Sequence, residues 1–276
     1  MKLRFTKMHG LGNDFVVVDA INQAVAFSEQ TIQKLADRHF GIGCDQVLLI
    51  ESPTTEDTDF HYRIFNADGS EVEACGNGAR CFARFVKDKG LSTKSSIAVG
   101  TLAGKITLGL LADGNVEVDM GAPKFEPASI PFKAAQQANT YPLEVADQQL
   151  TISALSMGNP HAVLIVPSVE HAAVATLGPL IENHPDFPQR TNVGFMQVVD
   201  SSEIALRVFE RGTGETLACG SGACAAVVAG RQLGLLDEAV LVHLPGGDLV
   251  VKWHSESQSV LIEGPAETVY EGTIDL

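Results

Sequence analysis

The amino-acid sequence predicts a mixed α/β protein made of two duplicated domains. Three observations predict it. The chain has 276 residues, long for one compact domain and ample for two, and 45% of them are hydrophobic, enough to fill sizeable cores. Short apolar strands alternate with helical stretches in both halves, in the same order. The phrase EACGNGARC (73–81) returns as LACGSGACA (217–225).

In the first half, DFVVVDA (14–20), QVLLI (46–50) and HYRIF (61–65) read as strands, rich in β-branched and aromatic residues. SEQTIQKLADRHFG (28–41) reads as a helix: Ser28 caps it, Ile32, Leu35 and Ala36 form its apolar stripe, and Gly41 ends it. GNGARCFARFVKDKG (76–90) reads as a second helix ending at Gly90. KITLGLLADGNVEVDMG (105–121) is a hairpin with Asp113 and Gly114 at its turn. The stretch 122–150 holds four prolines, is weakly periodic, and reads as the crossing into the second domain.

The second half repeats the order. HAVLIVP (161–167) is a strand, SVEHAAVATLGPLIEN (168–183) begins as a helix, IALRVFE (204–210) is a strand, GSGACAAVVAGRQLG (220–234) a helix, and 248–264 a hairpin. An offset of 144 residues places Phe65 on Phe209, Glu71 on Glu215, Ala74 on Ala218 and Cys75 on Cys219. The same offset places Gly76 on Gly220, Gly78 on Gly222 and Ala79 on Ala223. GLGNDFVVV (10–18) and SMGNPHAVLIV (156–166) echo each other near that offset. The period is a whole domain, so this is a duplication and not a solenoid.

Acidic residues outnumber basic ones, 34 to 19, for a net charge of −15. Such a surface repels phosphate backbones, which argues against nucleic acid as a partner. MKLRFTKMHG lacks the apolar core and cleavage site of a signal peptide, and no apolar run reaches the ~18 residues of a membrane span. A cytoplasmic location without membrane association is expected. There, most of the five cysteines (Cys44, Cys75, Cys81, Cys219 and Cys224) should be free thiols, and the odd count leaves at least one without a partner within the chain.

Each repeat places a cysteine between a strand and a helix, followed by Gly-X-Gly. Free N–H groups and the positive dipole end at a helix start stabilise a thiolate. The same N–H groups suit a carboxylate, and glycine lets a ligand approach the backbone. Free cysteine is most often a small buried hydrophobe, and that reading fits Cys44, Cys81 and Cys224. For Cys75 and Cys219 the equivalent positions and paired glycines favour chemistry. The spacings C-x5-C and C-x4-C do not suit structural zinc, since such helical positions lie roughly 140° to 240° apart around the axis. A C-x-x-C motif and the Walker Gly-Lys-Ser/Thr ending are absent. Two thiols from two domains, facing each other across one carbon in the cleft between them, could remove a proton from one face and donate one to the other. That inverts a stereocentre without a cofactor or a metal.

The segments MHGLGNDFVVVD, GIGCDQ, FNADGSEVEACGNGARC, GNPHAV, TNVGF and FERGTGETLACGSGACA closely resemble the diaminopimelate epimerase family, essentially end to end. The resemblance implies two pseudo-symmetric domains, each a curled, mostly antiparallel sheet around a central helix, with the active site in the interdomain cleft. It implies domains at 1–120 plus 264–276 and at 121–263, holding the Cys75 and Cys219 half-sites. It further implies conversion of LL-diaminopimelate to the meso isomer in bacterial lysine and peptidoglycan precursor synthesis, without pyridoxal phosphate, by a homodimer. Cys219 would accept the proton and Cys75 donate one in the LL-to-meso direction. Gly76, Asn77, Gly220 and Ser221 match positions that hold the reacting carboxylate. Asn13, Gln46, Asn66, Asn159, Asn192, Glu210 and Arg211 match the other substrate-binding positions. His161 and Glu210 match groups that tune the cysteines, and Tyr270 matches a dimer-interface residue.

Physical sense accompanies these matches. Arg211 can pair bidentately with the distal carboxylate, and asparagines both donate and accept. Taken alone, Arg211 reads as a solvated charge after a strand, Asn13 and Asn159 as turn residues, His161 as a packed histidine, and Tyr270 as a half-buried aromatic. Two alternatives stand beside this assignment. A proline racemase-like or hydroxyproline epimerase-like enzyme would share the cysteine pair but take a substrate with one carboxylate. A thiol redox sensor or binding protein would exchange no solvent hydrogen into an amino acid.

Overall fold

A computed structural model describes residues 2–25, 27–73, 75–254 and 258–276. Ala74, which the repeat pairs with Ala218, lies outside them. The chain forms two compact units, Met1–Asp119 with Glu263–Leu276, and Met120–Ile262.

In the first unit neighbouring strands run in the order Glu267–Asp275, Lys2–Gly10, Asn13–Asp19, Gln46–Glu51, Phe60–Asn66, Ser96–Thr101, Gly104–Leu110 and Val116–Asp119. Adjacent strands are antiparallel except at Asn13–Asp19 with Gln46–Glu51 and at Phe60–Asn66 with Ser96–Thr101. The second unit runs Tyr141–Val145, Gln148–Ser156, Pro160–Ile165, Asn192–Asp200, Glu203–Glu210, Ala239–Leu244 and Gly247–Lys252. Its parallel pairs fall at the two corresponding places. The C-terminal strand Glu267–Asp275 holds the place in the first unit that Tyr141–Val145 holds in the second.

Parallel neighbours need a crossover, and a helix supplies each one. Helix α1 (Glu29–Ala36) and α2 (Gly76–Asp88) serve the first unit, α3 (Val174–Glu182) and α4 (Gly220–Gln232) the second. Within its unit, α2 packs on Lys2–Gly10, Asn13–Asp19, Gln46–Glu51, Gly104–Leu110 and Val116–Asp119. Likewise α4 packs on Gln148–Ser156, Pro160–Ile165, Asn192–Asp200, Glu203–Glu210 and Gly247–Lys252. A sheet that touches one helix through so many strands curls around it, and the expected architecture is the one observed. Gly222 to Gly230 of α4 are all buried, as an enclosed helix requires.

The equivalent glycines Gly78 and Gly222 make this enclosure possible. A Cβ on Gly78 would lie 2.8 Å from Tyr62 Oη and 3.2 Å from Leu48 and Ile64 methyls. One on Gly222 would lie 3.0 Å from Val208 and 3.2 Å from Cys219 Sγ. The second glycine of each motif therefore serves close helix–strand packing, a demand separate from ligand approach. Alanine in a helix interior normally gains about 1 kcal/mol over glycine. Forcing a methyl against buried Tyr62, Leu48 and Ile64 costs about 1–3 kcal/mol. Gly78→Ala is therefore expected to lower the stability of the first unit, read as a lower denaturant midpoint; an unchanged or higher midpoint would refute the packing role.

Some expected elements differ. Ser28 caps α1 by accepting from the Thr31 N–H, but the helix stops at Ala36. Asp37 turns to extended backbone, and its carboxylate takes the His39 and Phe40 N–H groups. Gly41 then returns against the helix, where a Cβ would strike Lys34 O at 1.9 Å. Residues 168–173 are not helical: Gln197 takes the Val169 N–H and Arg207 donates to the Val169 carbonyl, so α3 begins only at Val174. The stretch 122–150 is more than a crossing. It carries the strand Tyr141–Val145, and Ile130, Phe132, Tyr141, Leu143 and Val145 enter the second unit's core. Gly247–Lys252 pairs with Ala239–Leu244, a strand not anticipated. The loop of the hairpin expected over 248–264 includes 255–257, outside the described residues.

Candidate active site

Cys75 and Cys219 are the N-cap residues of α2 and α4, with extended backbones (φ/ψ −140°/122° and −123°/106°). Their carbonyls open the helices by accepting from Ala79 N and Ala223 N. Gly76 with Asn77, and Gly220 with Ser221, form the first turns, where N–H groups lack intrahelical acceptors. Each cysteine thus stands beside a cluster of backbone donors and the positive end of a helix.

In the first unit the strand start at Asn13 comes to the cysteine. Cys75 Sγ donates to Asn13 Oδ1 at 3.7 Å, and Asn77 Nδ2 donates to the same oxygen at 3.1 Å. Asn13 Nδ2 donates to Asp45 Oδ2 at 2.9 Å, and Arg80 donates to Asn77 Oδ1 at 2.9 Å. Arg80 is fully buried and also binds the Pro265 carbonyl. Behind Asp45, Arg38 bridges Asp45 and Asp14, and Lys7 pairs with Asp14 and donates to the Gly43 carbonyl. Burial raises the Asp14 pKa, but hydrogen bonds from Arg38 and Lys7 outweigh it and hold the carboxylate far below its usual range. Gln46 and Asn66 pair across neighbouring strands, with Gln46 Nε2 donating to Asn66 Oδ1 at 3.0 Å. Tyr62 donates to the Cys75 carbonyl at 3.4 Å.

In the second unit Cys219 is 4% exposed and lies 3.7 Å from Ser221 Oγ. Burial, then the Glu210 carboxylate, push its thiol well above the ordinary range; Ser221 and the Gly222 N–H pull less strongly the other way. Glu210 accepts from Thr216 Oγ1. His161 is buried with Nε2 2.9 Å from Asn159 Oδ1. Burial, helped by Arg211, lowers its pKa to about 3, so the ring is neutral at physiological pH. Asn192 is buried, and its amide serves backbone: Nδ2 donates to Pro160 O, and Oδ1 accepts the Arg211 N–H at 2.9 Å. The next N–H, of Gly212, goes to Glu182 Oε1 at 2.7 Å. Two acceptors thereby fix the turn that carries Arg211, whose exposed guanidinium reaches the Gln189 carbonyl. The duplication extends to a supporting fork: Arg63 clasps Glu71 through two bonds, and Arg207 clasps Glu215 likewise.

Burial pushes Cys44 and Cys81 up to about 12, so these thiols stay protonated; Cys224 is also buried. Among the described residues no group of three or more His, Cys, Asp or Glu is placed to hold a metal ion, and no helix is long and apolar enough to cross a membrane. Tyr270 lies on Glu267–Asp275, 45% exposed, edge-on to Phe5. Sequence reasoning did not single out Asp45, Arg80, Lys7, Arg38 or Glu182. Asp45 and Arg80 lie inside the motifs GIGCDQ and GNGARC, but a linear sequence does not reveal the burial of Arg80 or the partners of either.

Two solved structures share this fold over nearly the whole chain. One is a PhzF-family phenazine biosynthesis protein from Bacillus anthracis (TM-score 0.72, 18% identity, 100% of both chains). The other is a hydroxyproline epimerase from Agrobacterium vitis (TM-score 0.71, 14% identity, 99% of this chain and 92% of that one). At such identities they define the fold class: a duplicated α/β protein with a helix enclosed in each half. The family is defined by closer relatives. Residues 5–126 and 153–269 match the diaminopimelate epimerase family model. Diaminopimelate epimerases of Nitrosomonas europaea and Teredinibacter turnerae are 60% and 56% identical to this chain, covering 100% of each sequence. The chain belongs to the diaminopimelate epimerase family, and the enzyme is an isomerase.

Proposed function

We propose that this enzyme epimerises LL-diaminopimelate to the meso isomer by a two-base reaction without cofactor, with Cys75 and Cys219 acting on opposite faces of one α-carbon. The observation that supports this reading best is the repeated placement of a cysteine at the N-cap of an enclosed helix. The reacting α-carboxylate would bind the first-turn N–H groups at Gly76, Asn77, Gly220 and Ser221, where negative charge is stabilised as the α-proton leaves.

In the LL-to-meso direction the Cys219 thiolate takes the α-proton. The electron pair moves into the carboxylate as an enediolate, and the Cys75 thiol returns a proton from the other face. Cys219 ends as thiol and Cys75 as thiolate, and proton exchange resets the pair. Cys219 must first lose its own proton, which burial and Glu210 hold on the sulfur. Glu210, beside the sulfur, would take it; neutral His161 is paired with Asn159 in the same unit. Arg211, on its fixed turn, would hold the distal carboxylate. Asn192 would act by placing Arg211, while Asn13, Gln46 and Asn66 would supply amide contacts.

The reading extends to a context, lysine and peptidoglycan precursor synthesis in the cytoplasm, and to a homodimer with Tyr270 at its interface, as the family resemblance implies. Purified protein, dialysed and without added cofactor or metal, is expected to interconvert LL- and meso-diaminopimelate and to leave L-proline unchanged. Racemisation of proline with inert diaminopimelate would favour the proline racemase-like alternative.

A further inference from the structure

The two side-chain amides next to Cys75 sit in a chain whose ends are not interchangeable. Arg80 can only donate, and it donates to Asn77 Oδ1. That turns Asn77 Nδ2 toward Asn13, where it donates to Oδ1. At the other end the Asp45 carboxylate oxygen accepts from Asn13 Nδ2. A donor-only end and an acceptor-only end fix the orientation of both amides without ambiguity. The atom presented to Cys75 is then the Asn13 carbonyl oxygen, which the sulfur approaches as a donor.

We infer that Asp45 and Arg80 are positioning residues that polarise the Asn77–Asn13 relay, so that Asn13 presents an acceptor to Cys75 and keeps it a thiol in the substrate-free enzyme. This rests on the assignment of Cys75 as a reacting group, and it gives the donor its proton before substrate arrives. In the second unit the repeat places Cys224 at the position of Arg80 and Ser221 at that of Asn77, and the strand register places Thr191 at that of Asp45. The two half-sites therefore differ in what their thiols face. Among the described residues of the first unit, the titratable or charged groups around Cys75 and the relay include Tyr62, Cys81 and the Lys7–Asp14–Arg38 cluster behind Asp45.

If Asp45 loses its charge, Asn13 is held only from the Asn77 end, and turning its Nδ2 toward the sulfur, which favours thiolate, costs less. The test is the pH profile of Cys75 alkylation by iodoacetamide in the full-length enzyme, with the modified residue identified by peptide mass spectrometry. Asp45→Asn is expected to move the profile to lower pH, with alkylation at neutral pH about tenfold faster for a midpoint that falls by about one on the pH scale. Removing a negative charge could act on sulfur directly, so the same substitution is made in an Asn13→Ala background. A relay through Asn13 predicts a displaced profile in the first background and an unmoved one in the second. Equal displacement in both backgrounds, or none in either, would overturn the inference. Asp45→Ser repeats the comparison if Asp45→Asn does not fold. Failure of the parent assignment reads differently: Cys75→Ala would then retain epimerase activity, whatever the alkylation profiles show.

Discussion

Replacing Cys75 with alanine is expected to abolish formation of meso-diaminopimelate from the LL isomer, with a loss of at least about 10³-fold, within the range contributed by a positioned general acid or base. Alanine fits the space of a sulfur at a helix N-cap and leaves the α2 backbone bonds in place, so folding should persist. The substrate can still lose its α-proton to Cys219, but nothing delivers a proton to the other face. The Cys75→Ala enzyme is therefore expected to wash solvent deuterium slowly into LL-diaminopimelate without making product. Cys219→Ala should lose both activities toward the LL isomer. Proton NMR in heavy water separates these outcomes. Epimerisation retained by either variant would show that its cysteine is not one of the two bases.

Arg211→Lys is expected to raise KM for LL-diaminopimelate and lower kcat/KM by roughly tenfold to a hundredfold. A guanidinium offers a carboxylate two parallel donors, whereas an ammonium is a point charge. Losing one charged hydrogen bond removes about 1.5–3 kcal/mol of binding, and each 1.4 kcal/mol is about tenfold. Asn192 and Glu182 hold the turn through the N–H groups of residues 211 and 212, so the substitution leaves the loop in place. The loss should therefore appear in substrate affinity, not in stability. Steady-state kinetics beside a thermal melt tests both halves of this statement; unchanged kcat/KM would remove Arg211 from the distal carboxylate.

Much of the fold was legible because the duplication was legible. Cys75 and Cys219, each followed by Gly-X-Gly and an apolar helix, announced two helix starts at one spacing, and the strands at 46–50, 61–65 and 204–210 stood out by their β-branched residues. The strand Lys2–Gly10 did not, since Lys7 interrupts its pattern; that lysine is buried because it pairs with Asp14. Strand Tyr141–Val145 was hidden in a proline-bearing stretch whose apolar residues alternate over only five positions. Asp45 and Arg80 were opaque for a different reason. A charged residue usually faces water, as Asp45 does and buried Arg80 does not, and only the folded backbone brings the two to the ends of an amide chain. Asn192 was picked out by resemblance, but its bonding to the Arg211 backbone is a tertiary fact.

The central claim is that two committed bases face opposite sides of one carbon, and hydrogen isotope transfer in heavy water tests it most directly. Before substrate arrives, exchange loads the Cys75 thiol with deuterium. Cys219 takes protium from the LL substrate, and Cys75 delivers deuterium to the product. If the intermediate collapses backward, Cys219 returns the protium it has just taken. Mass spectrometry of separated isomers at low conversion should therefore find deuterium at the inverted α-carbon of the meso product and almost none in the remaining LL pool. Heavy early labelling of the LL pool, or protium carried into the product, would contradict two bases each committed to one face.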